Sequence, residues 1–166
     1  MKQQMLLLLV AAILLGCTSE ADHRYNVDIR WTSYGIPHVK ADDWGSLGYG
    51  FAYATATDGV CVFAREVATA NGTLAADFGA TDENLASDAF HRAIVTGERV
   101  FRNGLAMSAN MREYGAGFVA GYNRFIEDNR DGLPAGCAGE AWVRPISEID
   151  LGRMFIAFGV RYGAGS

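Results

Sequence analysis

The sequence has little of what most often advertises a function. Its three histidines, His23, His38 and His91, stand apart, with no second His or Cys at metal-ligand spacing, which leaves no zinc-type cluster to build. No group of carboxylates stands at calcium-ligand spacing either, so no metal ligand and no cofactor is assigned, and calcium stays open. Basic residues number 14 against 19 acidic ones, a net charge of −5. With no basic stripe among them, nucleic acid is excluded as a partner. There is no strand-to-helix glycine loop of the nucleotide-binding kind; Gly115, Gly117 and Gly121 fall inside a helical pattern, where close helix packing is the better reading. The unbroken apolar run Met5 to Leu15 is shorter than the about 20 helical residues that cross a bilayer, which disfavours a retained transmembrane helix.

What is present begins with that run. Lys2 supplies a positive start, and Leu14-Leu15-Gly16-Cys17 follows the apolar residues, an ending that resembles a lipobox. Residues 1–16 are expected to be a lipoprotein signal peptide, with lipidation at Cys17 after cleavage and residues 17–24 as a polar tether. Thr18 in place of an Asp after the cysteine resembles the outer-membrane sorting pattern, so the expected location is the periplasm, anchored to the outer membrane by lipid. The alternative is an ordinary secretory signal in which Cys17 is incidental. Either way the mature chain is expected outside the cytoplasm, as one domain large enough for a core of its own. Half of the residues are hydrophobic and 20% are charged, which is ordinary for a globular protein. Glycine is about twice its usual share of roughly 7%, with 20 residues, so helices must approach one another, or a ligand, closely.

Tyr25 to Trp31 alternates apolar and polar residues, the mark of a half-buried strand, and Ile36-Pro37-His38-Val39 reads as a second extended piece. Pro37 suits the end of a ladder because it has no N–H to donate. His38 is best explained by its place at a strand end. From Asp43, a plausible N-cap, the apolar residues Trp44, Leu47, Phe51 and Ala52 take helical spacing. Asp58-Gly59 interrupts; Val60, Phe63, Ala64 and Val67 then form a second helical face that stops at Asn71-Gly72. Leu74 to Phe78 adds one turn. Thr81 to Asp88 is polar and is expected to be a surface loop, Ala89 to Val100 a modest helix, and Asn103 to Asn129 one long amphipathic helix. A Gly/Pro/Asp loop from Asn129 to Gly139 carries Cys137. Ser147 and Asp150 form a capping-box-like start to a last helix, Leu151 to about Tyr162.

With Cys17 assigned to lipid, Cys61 and Cys137 remain as a pair in an oxidising compartment. A disulfide is the favoured reading, with two free buried thiols or a nucleophilic cysteine as the alternatives; no base stands beside either one in sequence.

The motifs Gly35-Ile-Pro-His-Val39, Gly48-Tyr-Gly50, Ala56-Thr-Asp58, Gly72-Thr-Leu-Ala75 and Phe78-Gly79 together resemble the start of the α subunit of the penicillin acylase family. Cys61, the run Phe63 to Ala70, and Cys137-Ala-Gly-Glu-Ala-Trp142 with Arg144 are similar to its acyl-homoserine-lactone and aculeacin A acylase branch. The similarity runs from about Val27 to Ser166. It departs at Gly59 and Val62, where penicillin acylases proper usually carry Arg and Gln, and this favours the long-acyl branch.

The resemblance implies an α+β fold: the mainly helical α-subunit part, residues 25–166, of an αββα N-terminal-nucleophile hydrolase, with a short N-terminal strand pair. It implies an amidohydrolase for an N-acyl substrate of acyl-homoserine-lactone, lipopeptide or β-lactam type, and a β subunit from the same precursor as partner. The nucleophile would be that subunit's N-terminal Ser, with its own α-amine as base. No catalytic residue is therefore named here, and the isolated chain is expected to be inactive. It further implies that the last helix forms one wall of the acyl pocket, with Phe158 and Tyr162 foremost and Met154 and Phe155 beside them. A different class remains: an envelope lipoprotein that binds a hydrophobic ligand or partner without catalysis.

Overall fold

The computed structural model describes residues 24–163; the expected signal peptide, Cys17 and nearly all of the tether lie outside the described residues. The period-two segments form an antiparallel hairpin of β1 (Val27–Trp31) and β2 (Pro37–Ala41), with Ile29 opposite Val39 and Trp31 opposite Pro37. Pro37 thus closes the ladder at its turn end. The turn is held by the Thr32 hydroxyl, which accepts from the N–H groups of Tyr34 and Ile36, and by Gly35 at φ +78°.

Helix α1 (Trp44–Asn71) organises the rest. The Asp43 carboxylate accepts from the Ser46 N–H and hydroxyl, both at 2.7 Å, and the Ser46 hydroxyl accepts from the Asn26 N–H at 3.0 Å. One buried serine thereby ties hairpin to helix and satisfies an otherwise orphaned helix N-terminus. The interruption expected at Asp58-Gly59 is present: Gly59 leaves helical geometry, with φ −158° and ψ 44°, and the two helical runs of α1 meet there at a kink. Gly72 ends the helix in the left-handed region, φ 65° and ψ 46°, its N–H donating to Thr69 and that of Thr73 to Ala68, as the Asn-Gly signal predicts.

After the single turn α2 (Leu74–Phe78) come α3 (Asp82–Ile94) and α4 (Gly97–Ala106). The loop expected over Thr81 to Asp88 is therefore most of a helix, and Ala89 to Val100 spans the end of one helix and the start of the next. The physical reason is capping and polar anchoring in place of an apolar stripe. Thr81 caps α3 and Thr96 caps α4, each hydroxyl accepting a backbone N–H of the first turn. Asp88 is buried because its carboxylate accepts the N–H groups of Leu74 and Ala75 at 2.8 and 3.0 Å. Arg92 donates to the Gly72 carbonyl at 2.8 Å. These bonds pin α3 to the corner between α1 and α2 without much apolar surface.

The long helix expected from Asn103 is likewise divided: Ser108 caps a fresh start, and α5 runs Ala109–Asp128. It crosses α1 at backbone contact. A Cβ at Gly117 would run into the Gly45 carbonyl, one at Gly121 into that of Tyr49, and one at Gly48 into that of Tyr114. Phe118, Tyr122, Phe125 and Ile126 then fill the core against Ala52, Ala56, Val60 and Val67 of α1. Tyr122 is 1% exposed, and burial pushes its phenol up to about 12; it is a neutral core residue.

The last helix, α6, runs Glu148–Gly163. Ser147 and Asp150 cap it reciprocally, as expected: the Ser147 hydroxyl accepts from the Asp150 N–H at 3.2 Å while the Asp150 carboxylate accepts from the Ser147 N–H at 2.8 Å. Cys61 and Cys137, 76 positions apart in sequence, form a disulfide with Cα atoms 5.6 Å apart. It fastens α1 to the loop that leads into α6.

Candidate functional site

The kinked half of α1, the start of α5 and the length of α6 enclose an apolar cleft of about 660 Å³. Helical spacing brings Phe51, Thr55, Val62 and Phe63 to it from α1, Tyr114 and Phe118 from α5, and Leu151, Met154, Phe155 and Phe158 from α6. Gly59 lines it at the kink, where an added Cβ would meet nothing within 4 Å. The aromatic walls support one another: Phe63 and Phe118 have ring centroids 5.6 Å apart, and Phe51 lies 6.2 Å from Phe118. Polar groups are few. Asp58 and Glu66 lie among the lining residues, and Arg161 of α6 bonds Glu66 at 3.2 Å, linking the two helices there.

The position of α6 against α1 is fixed by a polar cluster. Asp150 accepts from Asn71 Nδ2 at 2.8 Å and from the Arg144 guanidinium at 3.2 Å, and Asn71 Oδ1 also accepts from Arg153. Burial alone would push the Asp150 carboxyl up; the hydrogen bonds from Arg144, Ser147 and Asn71 outweigh it and bring the group down to about 2. Asp150 is therefore ionised, and its role is to hold helix ends together rather than to exchange a proton.

Of the residues singled out on the last helix, Met154, Phe155 and Phe158 line the cleft. Met154 is also a core residue at 3% exposure, and Phe155 and Phe158 pack on the core from its edge. Tyr162 lies outside the lining, its ring 6.3 Å from Phe158 and largely exposed. Sequence reasoning placed only one wall. The α1 and α5 walls are Phe51, Val62, Phe63, Tyr114 and Phe118; Gly59 and Val62, the two positions set apart in the sequence, both line this cleft. His38 is exposed on β2 opposite Arg30, and the His91 Nδ1 lies 2.8 Å from the Ser87 carbonyl of its own helix. Among the described residues no group of three His, Cys, Asp or Glu could hold a metal ion, and no helix is long and apolar enough to cross a membrane.

The cleft is thus an apolar trough walled by three helices, with Asp58 and Glu66 among its lining residues. The penicillin amidase family model matches residues 26–157, and the chain belongs to that family. It is 44% identical over 161 residues to the aculeacin-A acylase of Actinoplanes utahensis, an alignment covering 89% of this chain and 20% of that protein. It is 41% identical over 145 residues to the acyl-homoserine lactone acylase PvdQ of Pseudomonas fluorescens, covering 83% of this chain and 18% of the relative. Among solved structures, a thermostable penicillin G acylase from Alcaligenes faecalis matches with a TM-score of 0.73 at 27% identity, over 85% of this chain and 76% of that one. The chain thus spans about a fifth of the length of the curated relatives it matches.

Proposed function

We propose that this chain is the α-subunit portion of an exported, lipid-anchored amidohydrolase that cleaves the amide bond of an N-acyl substrate with an aliphatic chain. The observation that carries this reading is the cleft between α1, α5 and α6, whose walls are aliphatic and aromatic on three helices. Such a surface binds an acyl tail by removing it from water at about 0.8 kcal/mol per buried methylene, and it offers nothing that would attack a carbonyl. The nucleophile is assigned to a β subunit from the same precursor, whose N-terminal Ser would attack the amide with its own α-amine as base. The relatives are named as an aculeacin-A acylase and acyl-homoserine lactone acylases and the solved neighbour as a penicillin G acylase, which supports an N-acyl substrate of acyl-homoserine-lactone, lipopeptide or β-lactam type. Phe158, Phe155 and Met154 would contact the acyl chain, and Tyr162 its outer end. Cys17 would carry the lipid that holds the enzyme at the outer membrane, facing the periplasm.

The test is expression from a reading frame that continues past Ser166, followed by intact-mass and N-terminal analysis of the product. The reading requires self-cleavage at a Gly-Ser junction, a new chain beginning with Ser, and release of amine from an N-acyl substrate. A product that stays whole and binds acyl compounds without turnover would support the envelope-binding alternative instead.

A further inference from the structure

A second cleft, of about 340 Å³, adjoins the first between α4, α5 and α6. Its walls are mostly apolar, with Val100, Phe101 and Leu105 from α4, Met111 from α5 and Ile149 from α6, and Arg112 and Glu148 also line it. The two clefts share two lining residues, Leu151 and Phe155, one helical turn apart on α6. Leu151 is a buried core residue at 6% exposure, whereas Phe155 packs on the core from outside. Helix α4 packs closely on α6 here: a Cβ on Gly152 would come within 2.8 Å of Val100 Cγ1.

We propose that Phe155 is a specificity-determining partition that sets the longest acyl chain this protein accepts. The inference rests on the acyl-binding reading of the first cleft. A chain lying between α1 and α6 would meet the Phe155 ring. Of the two residues common to both clefts, Leu151 is fixed in the core, which leaves Phe155 as the side chain whose size would decide whether a longer chain reaches the second space.

The experiment uses the processed full-length enzyme and a series of straight-chain N-acyl-p-nitroanilides of increasing length, with kcat/KM measured for each. Phe155→Ala should raise kcat/KM by about tenfold or more for chains longer than the wild-type optimum, the scale set by one or two methylenes placed in an apolar pocket. Phe155→Leu, the milder change, should move the optimum in the same direction by less, and Phe155→Trp should move it to shorter chains. Gly104 lines only the second cleft, and a Cβ there meets nothing within 4 Å, so Gly104→Phe is a plug. Added to Phe155→Ala, it should abolish the gain on long chains, a coupling between positions that do not serve the same wall. An optimum that stays put in all three Phe155 variants, or a gain that survives the plug, overturns the partition while leaving the acylase reading intact. A wild-type enzyme that hydrolyses no member of the series overturns both.

Discussion

Single residues decide how closely the two longest helices meet. Gly121 sits where any Cβ would strike the Tyr49 carbonyl, so Gly121→Ala should lower stability by about 1–3 kcal/mol, or more, in spite of the better helix propensity of alanine. Gly115 is the internal control. A Cβ there would lie 3.7 Å from Leu151 Cδ2, an ordinary contact, so Gly115→Ala should be neutral or stabilising by up to about 1 kcal/mol. Urea unfolding midpoints of the two variants check the contrast. Asp150 contributes in a pH-dependent way. Its folded pKa, about 2, lies below an ordinary 3.8, so its stabilisation of about 2 kcal/mol is fully present above the unfolded value and is lost as pH falls from about 4 towards 2. In Asp150→Asn the midpoint should be lower at neutral pH, and its fall between pH 4 and 2 should be shallower than in the wild type.

Elements with a periodic apolar face could be read from the sequence, and those held by polar anchors could not. The hairpin, the Asn71-Gly72 stop of α1 and the Ser147–Asp150 start of α6 follow from alternation, a left-handed glycine and a capping pair. Helix α3 did not, because its buried anchor, Asp88, acts on Leu74 and Ala75 from another element, and nothing local distinguishes it from the solvated acids Asp82 and Glu83. The break before α5 is hidden for a related reason: Met107 and Met111 keep helical spacing across Ser108, so periodicity runs through the cap. The cleft was half legible, since α6 shows a continuous aromatic face, while the α1 wall depends on a kink whose direction the sequence does not express. The disulfide acts at this scale. Replacing both Cys61 and Cys137 by serine frees α1 from the loop before α6 and should cost about 4–5 kcal/mol if chain entropy governs a loop of this length. The thermal midpoint under non-reducing conditions measures it, and reductant should then have no further effect on the double variant.

On the scale of the whole molecule, the described residues build walls and leave a trough uncovered. Phe51 and Val62 of the cleft, Phe101 and Leu105 of its neighbour and Tyr162 beyond both are exposed, the kind of apolar surface that a partner or ligand covers. The chain spans about a fifth of the length of its curated relatives, and the proposed reading makes it one part of a larger hydrolase. The most direct measurement of that claim compares residues 24–163 alone with the same chain co-expressed with the downstream segment of its precursor, using an environment-sensitive apolar dye and an N-acyl amide as paired readouts. The account predicts strong dye binding and no amide hydrolysis for the isolated chain, and loss of dye binding together with the appearance of hydrolysis for the assembly. An isolated chain that is a stable, non-associating monomer, binds no dye and is unchanged by the downstream segment would contradict it.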